Sequence, residues 1–87
     1  MEGQDTRVAV VAIIVKEPDS VARLNSLLHQ YGGYVIGRMG VPCRQRGVNI
    51  ISVALDAPGD VISALSGKLG RLPGVTAKTV YAPEEAL

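Results

Sequence analysis

The chain has no phenylalanine and no tryptophan, and its only aromatic residues are Tyr31, Tyr34 and Tyr81. A core therefore has to be built from Val, Ile, Leu and Ala, and the β-branched members of that set favour strands. A single cysteine, Cys43, excludes an internal disulfide framework and fits a reducing cytosol. One histidine and one cysteine cannot supply the roughly four ligands of a closed zinc or nickel site from one chain. The net charge is only +1, so the overall balance points to neither a nucleic-acid nor a membrane surface. No apolar run approaches the roughly twenty residues of a membrane span, and neither end reads as a leader. The expectation is a soluble cytoplasmic protein that touches no membrane.

What the sequence has instead is apolar strand pattern. Its 87 residues predict one domain, 1–87, with residues 1–6 and 83–87 as tails. Arg7 to Val15 (RVAVVAIIV) reads as a strand whose alternating sets are both apolar: Val8, Val10, Ala12 and Ile14 on one side, Ala9, Val11, Ile13 and Val15 on the other. Lys16 to Ser20 (KEPDS) stops it, with Asp19 or Ser20 placed to cap a helix. That helix runs from about Ser20 to Tyr31, with Val21, Leu24, Leu27, Leu28 and Tyr31 on one stripe, and Gly32 and Gly33 end it.

Tyr34 to Pro42 is a second strand whose Gly37, Gly40 and Pro42 suit a sheet edge. Cys43 to Gly47 (CRQRG) is a basic hairpin turn, and Val48 to Ala57 is a third strand, again apolar on both sides apart from Asn49 and Ser52. Pro58 and Gly59 break that strand, and Asp60 begins or caps a second helix. Its stripe is Val61, Leu65, Lys68 and Leu72, with Ile62 and Leu69 beside it. Gly70 and Leu72-Pro73-Gly74 end the helix, and Val75 to Tyr81 is the last strand.

The order βαββαβ with right-handed crossovers predicts an α+β, ferredoxin-like fold: a four-stranded antiparallel sheet with two helices on one face. Strands one and three then lie in the middle. Two helices cover one face only, yet both central strands carry Val and Ile on both faces, so a monomer would leave an apolar patch in water. The expected cover is a second copy, in a homodimer or a dimer of dimers.

Chemistry is sparser. Gly67-Lys68 fails as a phosphate loop, because Ile62 and Leu69 stand where the motif needs a glycine and a hydroxyl. No Ser, His and Asp set and no carboxylate pair is suggested by spacing, so a non-enzymatic protein without a cofactor is expected. Arg38, Arg44 and Arg46 gather on and beside the basic hairpin, where they could grip a carboxylate or phosphate. No aromatic lies among them to stack bases, which argues against direct nucleic-acid binding. In the KEPDS loop, Glu17, Asp19 and Ser20 stand before a helix start whose N–H groups can receive an anion. These six residues are the candidate ligand site. Two alternatives are a metal site pooling Cys43 and His29 across an oligomer, and a ligand-free structural subunit.

VISALSGKLGRLPGVTAKTV, with VNIISVAL before it and LNSLLHQYGGYVIGRMGVP earlier, resembles a family of short standalone proteins described as iron-only hydrogenase system regulators. The resemblance runs from Arg7 to Tyr81, and ALSGKLGRLPGV is its most specific piece. That family is similar in fold to ACT domains and to the sensing domain of the nickel-responsive repressor. The resemblance implies a module that assembles through its sheet and reports a small ligand to a partner. With the arginine cluster, the expected ligand is a small anionic effector and the expected partner a regulatory protein. Where the nickel repressor's domain carries several His and a Cys, this chain has Arg38, Met39 and Cys43. Where amino-acid-binding ACT domains carry a glycine in the first loop, it has Asp19-Ser20.

Overall fold

The computed structural model describes residues 5–83, so residues 1–4 and 84–87 of the expected tails lie outside the described residues. Strand β1 (Thr6–Val15) leads into helix α1 (Val21–Gln30), strands β2 (Val35–Cys43) and β3 (Val48–Pro58), helix α2 (Gly59–Gly70) and strand β4 (Val75–Tyr81). The sheet order is β2-β3-β1-β4, and every pairing is antiparallel. This is the α+β, ferredoxin-like βαββαβ arrangement, with the doubly apolar strands in the middle and the glycine-containing β2 at an edge.

Register decides which apolar set goes under the helices. Val11 lies opposite Val53 on one side and Thr79 on the other, and the alternation from there buries Ala9, Val11, Ile13 and Val15 of β1 with Ile51, Val53, Leu55 and Ala57 of β3. Leu24 and Leu28 of α1 and Ile62, Leu65 and Leu69 of α2 close over them as one core. Without large aromatic rings, that core is filled by branched aliphatic side chains, whose shapes fix its packing. In α2 the buried line is Ile62, Leu65 and Leu69, about one position round from the expected stripe. Lys68 accordingly points out, where its Nζ donates to the Tyr31 hydroxyl at 2.9 Å and ties α2 to the end of α1.

The entry to α1 differs from expectation. Pro18–Ser20 forms a short 3-10 turn, so Ser20 has helical dihedrals (φ −83°, ψ −11°) and makes no side-chain cap. A capping residue needs extended backbone to aim its oxygen at the first N–H groups. Glu17 has that geometry, and its carboxylate accepts from the Asp19 N–H at 3.3 Å. The cap thus lies three residues upstream of Ser20. At α2, Pro58 precedes the first helical residue and Asp60 sits in the first turn, its Oδ1 accepting from the Val61 N–H at 3.0 Å. Ile36 occupies an irregular position between Val35 and Gly37 that shifts the β2–β3 register.

Candidate functional site

Two surfaces stand out once the chain is folded. The first is the sheet face away from the helices. Val10, Ile14, Met39, Val41, Ile50 and Val80 all project there by register, and each leaves 39% to 66% of its surface bare. Together they expose apolar surface on the order of 500 Å², as large as the largest patch on a typical soluble monomer. Among the described residues of the strands, the charges on this face are Asp56, near the end of β3, and Lys78, on the β4 edge. The centre of the face is therefore apolar and its charges are peripheral.

The second surface is a trough between α1 and β2. Because α2 packs on β4, β3 and β1 and neither helix packs substantially on β2, that strand is exposed along nearly its whole length. A depression of about 360 Å³ is lined by Asn25, Leu28, His29, Gly32, Val35, Arg38 and Val53. The next, of about 260 Å³, shares Asn25 and Arg38 with it and adds Val21, Gly40, Val41, Pro42, Asn49 and Ile51. A third, of about 240 Å³, shares Pro42 and Asn49 with the second and brings in Pro18, Cys43, Arg44, Gly47 and Val48. The described residues that line these depressions include two arginines and a histidine and no carboxylate.

Of the six predicted ligand residues, only Arg38 and Arg44 line this trough. Arg38 is on β2 opposite Val53, and its Nη2 donates to the Asn25 Oδ1 at 3.1 Å across the trough. Arg44 and Arg46 flank Gln45 in the 3-10 turn of the hairpin, which Gly47 closes at φ +67°. Arg44 and Pro18 line the same crevice, so the first loop and the hairpin are neighbours within one subunit. Arg38 lines the other two depressions.

Ser20 is buried, and its hydroxyl donates to the Pro73 carbonyl oxygen at 2.6 Å. The Lys16 N–H donates to the Gly74 carbonyl oxygen at 2.8 Å, so the loop is braced from behind by the Leu72–Gly74 turn. Asp19 is exposed and lines none of the three depressions.

Asn25 was missed from sequence and His29 was considered only as a metal ligand, although they sit four residues apart on α1, on one side of the helix, and both line the 360 Å³ depression. That spacing was the available signal. Cys43 lines the far crevice, and among the described residues no three His, Cys, Asp or Glu side chains come together as a metal site. Arg7 was also missed: its guanidinium lies 4.1 Å from the centroid of the Tyr81 ring, in cation–π contact. No helix among the described residues is long and apolar enough to cross a membrane.

Comparison with known proteins places this geometry. No curated protein matches the chain. The structure of the Thermotoga maritima protein TM1266 is 35% identical, covering 91% of this chain and 100% of that one, with a TM-score of 0.87. The C-terminal domain of MgtC from Mycobacterium tuberculosis is similar at 16% identity, over 97% of this chain and 94% of that one, with a TM-score of 0.70. A formyltetrahydrofolate deformylase from Pseudomonas putida KT2440 matches 87% of this chain but only 29% of its own, at 17% identity and a TM-score of 0.62. At these identities the last two show shared fold alone. The TM1266-like family model, described as "Iron-only hydrogenase system regulator, putative", matches residues 7–79. The chain belongs to the TM1266-like family.

Proposed function

We propose that this chain is a non-enzymatic regulatory module of a hydrogenase or related system. In this reading it assembles with itself through the open sheet face, as a homodimer or a dimer of dimers, and passes the binding of a small anionic effector to a regulatory protein partner. The family description supports regulation. The observation that carries assembly is the bare face formed by Val10, Ile14, Met39, Val41, Ile50 and Val80. Two such faces in contact remove on the order of 1,000 Å² of apolar surface from water, enough for a specific interface. A face with peripheral charges suits contact between identical copies, since its centre presents no like charges to itself.

The effector reading places the anion along the basic trough, near a subunit boundary. Arg38, Arg44 and Arg46 supply the charge in this reading. Of the first loop, Pro18 lines the trough, Glu17 and Asp19 are the candidates near it, and Ser20 holds the loop to Pro73 from behind. The trough is on the helix side of the sheet, so pairing of the open faces leaves it accessible.

The regulatory claim is tested in the source organism. Deletion of the chain is expected to change iron-only hydrogenase transcript or activity at least several-fold, with rescue by the wild-type chain and none by Val10→Asp. Unchanged hydrogenase levels on deletion would contradict it.

A further inference from the structure

We infer that the outer edge of β2 is a docking site for an extended segment of the regulatory partner, which adds to the sheet as a fifth strand with acidic side chains on the helix side and apolar ones on the open face. This deepens the regulatory reading by stating how the partner is held, and rests on it for biological meaning.

Three observations carry it. First, β2 pairs with β3 on one side only, so every second N–H and C=O along its outer edge is without a ladder partner among the described residues. The sheet has two such edges, and they are not guarded alike. β4 carries Lys78 at its centre, whereas the single charge of β2 is Arg38, which turns to the helix side opposite Val53. The irregularity at Ile36 and the ring of Pro42 bound a window from Gly37 to Val41, enough for a strand of about five residues. Pro42 lies in the paired run opposite Asn49, so its missing N–H belongs on the outer edge. By alternation the outward N–H groups of the window are those of Arg38 and Gly40.

Second, Gly37 and Gly40 have no cause inside the chain. Neither is in the left-handed region, and a Cβ built on either meets no atom within 4 Å among the described residues. Glycine weakens a strand interior and commonly marks the close approach of another backbone. Gly40, opposite Ile51, lines the 260 Å³ depression on the helix side, and Gly37, opposite Ala54, lines one of about 270 Å³ on the open face. The alternate side chains of a strand laid along β2 therefore have a hollow to lean over on each face.

Third, charge selects the occupant. Arg38 stands between the two glycines, and the trough beside it is lined by two arginines and a histidine and no carboxylate among the described residues, which suits acidic side chains. On the other face Met39 and Val41, 64% and 48% exposed, suit apolar ones. A second copy fits this edge badly. Antiparallel pairing of β2 with itself about its midpoint, Met39, sets the two Arg38 side chains diagonally opposed, like charges within roughly 8 Å. The edge points away from the sheet, so assembly through the open face does not consume it.

The test uses the full chain and acetylated, amidated heptapeptides: one alternating valine and glutamate, and one with lysine in place of glutamate. In ¹⁵N-edited NMR the glutamate peptide is expected to give saturable shifts centred on residues 37–41. Amide exchange should slow at least about tenfold at Arg38 and Gly40. The lysine peptide should bind about tenfold more weakly or worse. Arg38→Glu should reverse that preference while keeping the fold, because the residue is exposed. N-methylating the glutamates and N-methylating the valines remove N–H groups from opposite edges of the peptide, so one should abolish binding and the other spare it.

Equal affinity for the two charge types would overturn the inference, as would equal tolerance of the two methylation patterns, shifts that centre away from β2, or no saturable binding up to about 5 mM. If the peptides fail in any of these ways while the hydrogenase phenotype of the deletion persists, the docking edge fails and the regulatory reading stands. If the glutamate peptide binds as described but deletion has no effect on hydrogenase, the docking edge stands and the regulatory reading fails.

Discussion

Val11→Asp is expected to unfold the protein, whereas Val10→Asp, one residue earlier, is expected to leave it folded. Val11 is fully buried between Val53 and Thr79 beneath the helices. A carboxylate there either stays ionised in an apolar core without a partner or is protonated at a large cost. Either way the penalty is on the order of 4–5 kcal/mol, comparable with the whole stability of a small domain. Val10 is 39% exposed on the opposite face. An aspartate at that position keeps its water, and the fold loses only about 1 kcal/mol of strand preference. Urea denaturation followed by far-UV circular dichroism checks the pair: Val11→Asp should lack a folded baseline, and Val10→Asp should show a cooperative transition. Equal behaviour would mean that the faces are assigned wrongly.

Gly74→Val should be the next most damaging change, and its cause is a close approach rather than loss of contact. Gly74 has φ +69°, a conformation costing a residue with a Cβ about 1–2 kcal/mol. A Cβ there would also lie 2.6 Å from the Glu17 Cβ and 2.9 Å from the Glu17 backbone nitrogen. Backbone cannot swing aside, and the hydrogen bonds Lys16 N–H to Gly74 O and Ser20 Oγ to Pro73 O hold the two segments together. Relieving the overlap means separating the first loop from the Leu72–Gly74 turn, for a total of about 3 kcal/mol or more. Gly47→Val provides the control. Gly47 has a similar φ of +67°, but a Cβ there meets nothing within 4 Å. Its cost should stop at the conformational term, about 1–2 kcal/mol. Equal loss of stability at the two sites, measured by thermal and urea unfolding, would show that the loop–turn contact contributes nothing.

These two comparisons also mark where sequence reasoning reached and where it stopped. Element order, the central position of the two doubly apolar strands and the edge position of the strand with Gly37 and Gly40 were all legible, because periodicity and breakers are local properties. Which of the two apolar sets in Arg7–Val15 faces the helices was not, since both sets are built from the same residue types. Only the packing of Leu24, Leu28, Ile62, Leu65 and Leu69 against one set decides it. Gly74 read as a helix terminator. Its closeness to Glu17 links residues far apart in the chain and leaves no local mark. Ser20 read as a helix cap for the same reason: its partner, Pro73, is fifty-three positions away.

Site legibility followed the same division. Arg38 was noticed because three arginines cluster in sequence, yet the structure separates it from the crevice shared by Arg44 and Pro18. Its observed partner is Asn25, on the preceding helix. The trough exists because neither helix packs substantially on β2 and the strand is left uncovered, a consequence of tertiary packing.

Self-assembly through the open sheet face is the central claim, and light scattering of the wild-type chain beside Val10→Asp and Ile50→Asp measures it most directly. Both positions are on the exposed face and spare the core. The account predicts a wild-type mass of two or four chains, and folded monomers for each variant. A wild-type chain that stays monomeric at tens of micromolar, or variants that keep the wild-type mass while folded, would contradict it.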